Sequence, residues 1–227
     1  MSWVSKTLNS TLGKKLLMAL TGIFLILFLV VHLAGNLQLL LPDDGKAFNI
    51  YAETMASNPL IRVVGILNFG FIALHAIYSA ILTRHNKKSR PVGYAVTNAS
   101  ANSTWSSRNM GILGALILVF ILVHLRGFWY EFKFGEIPYV TYDGVTYKDG
   151  YTVVAAAYEN ILYVIFYVVS MGVLAFHLSH GFASAFQTLG INHSKYTPFI
   201  KKLGLGFAII IPALFALIPI IMFLQNS

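Results

Sequence analysis

Five long apolar stretches separated by shorter polar segments set the pattern of this chain. They run at about 15–41, 60–83, 109–131, 157–187 and 199–224, each at or above the roughly 20 residues a helix needs to cross a bilayer. The runs are continuous rather than alternating, which predicts spanning helices and not barrel strands. The expected fold class is therefore all-α: a single domain over residues 1–227, an integral membrane bundle of five transmembrane helices. The opening MSWVSKTLNSTLGKK lacks an A-x-A cleavage site and precedes a run too long for a signal-peptide core, so it reads as a retained amphipathic lead-in. The segment 132–156 carries turn signals at Tyr142-Asp143-Gly144 and Lys148-Asp149-Gly150, which predict a short hairpin. The last stretch holds Pro212 and Pro219, expected to kink it, and no histidine, so it reads as a packing element.

Composition agrees with this frame: 57% of residues are hydrophobic, 11% are charged, and the mean hydropathy is +0.70. The net charge of +8 would suit nucleic acid, but its distribution argues otherwise. One set of alternating segments holds Lys6, Lys14, Lys15, Arg84, Lys87, Lys88, Arg90, Arg108, Lys195, Lys201 and Lys202, with no acidic residue. The other set holds all the Asp and Glu residues. This positive-inside pattern predicts an N-in, C-out protein of the cytoplasmic (inner) membrane, with no nucleic-acid partner. The chain has no cysteine, which excludes disulfides, covalently attached haem and cysteine-held iron–sulfur clusters within it.

Histidine is the residue that changes the picture. His85 and His193 fall in predicted loops, but His32, His75, His124, His177 and His180 lie in the first four spans. Ionisable groups at membrane depth mark cofactors, partners or water paths. At 1.5 Å per residue, His32 and His124 stand roughly 25 Å beyond the basic residues that open their helices, Lys15 and Arg108. His75 and His180 stand only about 10–13 Å from the same side. Local sequence pairs them likewise: Val-His-Leu-x-Gly with a glycine ten residues earlier surrounds His32 and His124, while His-x-x-x-Ser-Ala surrounds His75 and His180.

Two opposed imidazoles in a helix bundle suit bis-histidine haem ligation. The expectation is two haems stacked between the first four helices, the outer on His32 and His124 and the inner on His75 and His180, with Gly35, Gly127, Gly181, Ser79 and Ser184 making room. A zinc or copper transporter, or a proton relay, also uses membrane histidines. Such a transporter gathers its ligands at one depth with carboxylates or thiols, whereas here they split into two layers without a deep carboxylate.

On Thr21-Gly22 ahead of His32, the His75 helix, Val123-His124-Leu125 and His180-Gly181 leading into Ser184-Ala185-Phe186-Gln187, the chain resembles the dihaem cytochrome b membrane anchor of succinate dehydrogenases and fumarate reductases, in its single-polypeptide five-helix form. The resemblance covers essentially the whole chain. It implies two haem b cofactors, with His75 and His180 holding the one near the cytoplasm. It also implies two cytoplasmic partners, a flavoprotein with FAD and an iron–sulfur protein, and electron exchange with a membrane quinone, most naturally menaquinone. The dicarboxylate chemistry would belong to the flavoprotein, and two such heterotrimers would form a dimer. Anchors of other quinone-linked dehydrogenases share the bis-histidine plan and stay as the alternative.

Further candidates follow from the same frame. The basic segment 84–108 is the candidate docking surface. Asn49 and Glu53, in the first outer loop, are quinone candidates. Arg126 and His177 are candidates for haem propionates, with His177 otherwise a neighbour of the ligand His180. Some relatives carry a glutamate two residues before the fourth ligand; Leu178 stands there, so compensating proton movement by that route is not expected.

Overall fold

A computed structural model describes residues 2–89, 101 and 103–226. Five of its helices are long and apolar enough to cross a membrane: Thr11–Leu40, Pro59–Lys88, Met110–Phe134, Ile161–Thr188 and Thr197–Gln225. The chain is thus an all-helical, multi-pass membrane protein. A short helix, Trp3–Asn9, leads into the first span, and Ser10 caps the join by accepting from the Gly13 N–H. Part of the candidate docking segment, residues 90–100 and 102, lies outside the described residues.

Polar caps set the helix starts more sharply than hydropathy does. Asn58 accepts from the N–H groups of Leu60 and Ile61, with Pro59 in the first turn, and so opens the second span. Asn160 does the same for Leu162 and Tyr163. The fourth span therefore begins at Ile161, and residues 157–158 end a separate helix, Gly150–Tyr158. The third span is interrupted directly after His124: residues Leu125–Trp129 form a π-helical turn before the helix resumes over Tyr130–Phe134. Such turns re-aim side chains within a helix. The second span runs on to Lys88, which places His85 in its last turn.

The first span packs on the second and the fourth, and the third packs on the same two. The first four helices therefore form a square in which the first faces the third, and the second faces the fourth, across the centre. The fifth packs chiefly along the fourth. It runs through Pro212 and Pro219 as one helix, with both prolines fully buried. Leu178 belongs to this contact, clustered with Met171, Leu174 and Ala208.

The larger core lies at the end of the bundle away from the N-terminus. There Leu33, Leu39, Phe48, Phe128, Val154, Tyr158, Val164, Tyr167, Ile218 and Met222 meet. Helix Lys46–Ser57, the helix Gly150–Tyr158 and the expected hairpin cover it. The hairpin pairs Tyr139–Tyr142 with Val145–Lys148 around Asp143 and Gly144, both at positive φ as a two-residue hairpin turn requires. The second turn signal, Lys148-Asp149-Gly150, instead starts a helix: Asp149 caps it by accepting from the Thr152 N–H. Lys46 ties the cover together through Asp143, 2.7 Å away, whose hydrogen bond and charge hold the ammonium above the ordinary lysine range.

Candidate functional site

The centre of the four-helix square holds two pairs of imidazoles. At the far level, His32 of the first span and His124 of the third stand 5.8 Å apart between ring centres, with planes at 88°. At the level nearer the N-terminus, His75 of the second span faces His177 of the fourth at 6.4 Å and 66°. Each pair crosses one diagonal of the square.

The second pair differs from the sequence expectation. His177, not His180, faces His75. His180 lies one turn nearer the N-terminal end of the bundle and has no ring contact among the described residues. Helix spacing agrees with this pairing. Gly22 lies against His75, with the histidine Cε1 3.4 Å from where a Cβ would stand, and is ten residues before His32. Gly114 lies against His177 in the same way, at 3.8 Å, and is ten residues before His124. Tyr167, bonded to His124, is ten residues before His177. Three helices thus separate the two levels by the same ten residues, about 15 Å.

The other ring nitrogens show which atoms remain for a ligand. Thr21 Oγ1 donates its hydrogen to its own helix, 2.8 Å from the Leu17 carbonyl, and lies 3.1 Å from His75 Nδ1. With that hydrogen on the Leu17 carbonyl, the hydroxyl is free to accept from Nδ1–H, the tautomer that leaves His75 Nε2 with its lone pair. His124 Nδ1 meets the Tyr167 hydroxyl at 3.2 Å. The contact at His32 Nδ1 is longer, 3.4 Å from Asn36 Nδ2, whose shorter bond of 2.8 Å goes to the His32 carbonyl. His177 Nδ1 is buried with no hydrogen-bond partner among the described residues. A buried unpartnered nitrogen is costly in a membrane interior.

Aromatic rings wall the far pair. Phe28 stacks on His32 at 5.2 Å, Phe215 of the fifth span approaches it at 5.6 Å, and Phe120 and Phe128 flank His124 at 5.6 and 5.5 Å. The fifth span, expected only to pack, thus contributes directly to the surroundings of one histidine.

The remaining sequence candidates have other partners. Gly35 and Gly127, expected to face a cofactor, instead face Tyr51 and the Tyr163 hydroxyl; at Gly181 a Cβ would meet nothing within 4 Å. Asn49 is 1% exposed and clamps the cover: Nδ2 donates to Tyr142 Oη at 3.2 Å and Asp149 Oδ1 at 3.0 Å, and Oδ1 accepts from the Tyr151 N–H at 3.0 Å. Both amide hydrogens are spent, which leaves none to offer a quinone. Glu53 is exposed on the same helix. Arg126 turns outward, paired with Glu131 and stacked 4.6 Å over the Tyr130 ring.

The donor set fits haem. A metal held in line between two imidazole nitrogens, at about 2 Å each, puts the ring centres about 6 Å apart. Both observed separations are close to that figure. Among the described residues no three His, Asp or Glu side chains converge as ligands. Each pair by itself therefore suits a metal whose other ligands come from a macrocycle rather than from the protein. The chain matches no protein-family model, no curated protein and no solved structure.

The sequence reading named neither Tyr167 nor Tyr163, gave Thr21 no contact with His75, and placed His177 beside the pair and not facing His75. The interval visible as Gly22–His32 and Gly114–His124 does not choose in the fourth span, where Tyr167 lies ten residues before His177 and Ser170 ten before His180; the ring contact with His75 chooses.

Proposed function

We propose that the chain is the membrane anchor and electron-transfer subunit of a succinate:quinone oxidoreductase, a succinate dehydrogenase or fumarate reductase. On this reading it holds two b haems, the far one on His32 and His124 and the other on His75 and His177. The observation that carries the haem reading is the presence of two imidazole pairs at ligand spacing, on opposite diagonals of one bundle and about 15 Å apart. Iron held by two histidines has no open position and passes single electrons without binding dioxygen.

The protein's own residues do the rest. Thr21 and Tyr167 orient His75 and His124 through Nδ1, as groups bonded to ligand histidines do, and leave Nε2 for iron. Gly22 and Gly114 leave space beside the imidazoles, and the phenylalanines keep water from the far pair. His75 supports His177 over His180 by facing it directly.

The partners and the direction toward quinone rest on the sequence resemblance: a flavoprotein and an iron–sulfur protein on the cytoplasmic side, and menaquinone in the membrane. Positive-inside charge supports the cytoplasmic N-terminus and an inner-membrane location. Isolation from native membranes tests the assignment. Co-purification of both partners, with succinate-dependent reduction of a b-type spectrum, is expected. Co-purification with a hydrogenase or formate dehydrogenase would assign the chain to another quinone-linked anchor.

A further inference from the structure

The stretches that run between the two histidine levels, residues 22–32, 65–75, 114–124 and 167–177, contain no Asp, Glu, Lys or Arg. Beyond the histidines and Tyr167 at their ends, the polar side chains in them are Asn68 and Ser170. Asn68 stands seven residues before His75, and Ser170 seven before His177. Seven residues fall about 20° short of two helical turns, so each side chain leaves its helix nearly in the direction of its histidine. Because the His75 and His177 rings face each other, Asn68 and Ser170 look into the centre of the bundle from opposite helices. They stand about 10.5 Å from that pair, on the way to the far one.

Both residues are buried, Asn68 at 7% and Ser170 at 9% exposure. Asn68 Oδ1 has no hydrogen-bond partner among the described residues. Ser170 Oγ gives its hydrogen to the Phe166 carbonyl at 2.7 Å, which leaves the oxygen its lone pairs. The surround is apolar. Phe71, about one turn on from Asn68, packs edge-on against Phe24 at 4.6 Å, and Leu174, about one turn on from Ser170, is buried. An orphaned acceptor is costly at this depth in a membrane.

We propose that one internal water molecule sits between Asn68 and Ser170. The two acceptors decide the ligand. An anion would find no cationic side chain between the levels, and a metal cation no carboxylate. A neutral carboxyl group brings one hydrogen for two acceptors. Water brings two, one for Asn68 Oδ1 and one for Ser170 Oγ, and buried waters occupy polar sites of this kind. The second and fourth spans each pack on the first and third. The water ties these two opposite helices together across the centre and so helps to hold His75 and His177 at their spacing. Asn68 and Ser170 are positioning residues on this account, which rests on their own polar groups and not on the haem reading.

The test joins a structure of the intact complex, at a resolution that shows ordered water, to a double-mutant cycle. A density peak within hydrogen-bond distance of both Asn68 Oδ1 and Ser170 Oγ is expected. Asn68→Leu and Ser170→Ala should each remove the peak and lower Tm in detergent by about 2–4 °C, the shift one lost hydrogen bond gives a chain of this size. The double variant should be no less stable than the weaker single one, since residues without a direct bond couple only through what lies between them. Absence of the peak in the wild type overturns the site, as do additive losses in the cycle. Density that reaches Asn68 from the edge of a bound cofactor also overturns it, by giving the acceptors to a cofactor substituent. A complex without a b-type spectrum would overturn the haem reading and leave both of these measurements able to decide the water site.

Discussion

The His75 ring faces the His177 ring at 6.4 Å, while His180, one turn along the same helix, faces no ring among the described residues. On an α-helix two residues three apart differ by about 60° in direction and about 4.5 Å in height. Only one of them can meet His75. Replacing His177 by alanine should therefore remove one haem and leave the far one, whereas His180→Ala should leave two. Haem per complex, measured as the pyridine haemochrome, checks this; loss of haem from the His180 variant alone would restore the pairing read from the sequence motif.

Tyr167 and Thr21 each bind the outer nitrogen of one histidine, at 3.2 and 3.1 Å. A hydrogen bond at Nδ1 raises the basicity of the imidazole and so favours the ferric iron. Tyr167→Phe should raise the potential of the far haem alone, and Thr21→Val that of the other alone. A redox titration resolving the two bands reads the result; a shift in both haems from either variant would argue against separate sites.

Gly45 sits at φ +79°, and a Cβ there would collide with the Tyr151 ring. Gly45→Ala adds left-handed backbone strain to overpacking and should cost about 2–4 kcal/mol. Thermal unfolding in detergent should show a lowered Tm. Gly65→Ala, with nothing within 4 Å of its Cβ position, should show no such loss.

Asn49 joins three parts of the cover by three hydrogen bonds and is 1% exposed. Asn49→Ala leaves Asp149, Tyr142 and the Tyr151 N–H short of a partner and should cost roughly 3 kcal/mol. The loss should appear as faster proteolysis of the hairpin, with KM for quinone unchanged. A selective rise in that KM, without destabilisation, would return Asn49 to the quinone site.

The spans were legible because their hydrophobicity is continuous and polar segments separate them. Their starts were less so: hydropathy carries the fourth span back to 157, but Asn160 caps it and Tyr158 closes the helix before it. The π turn after His124, Leu125–Trp129, was not legible because hydropathy reports polarity and not the hydrogen-bond register of a helix. Four of the histidines were visible as a set, and depth alone sorted them into two levels. Depth could not separate His177 from His180, because both lie within one turn; the ring-to-ring direction separates them. Asn49 looked available from sequence because its three partners lie 93–102 residues away along the chain.

The most direct measurement is the reduced-minus-oxidised visible spectrum of the purified complex, with haem quantified against this chain. Two b-type haems per chain, low-spin in the ferric state as bis-histidine ligation requires, is the result expected. Fully assembled complex with no b-type haem would contradict the central claim, and a single haem would leave one of the two imidazole pairs without its assigned role.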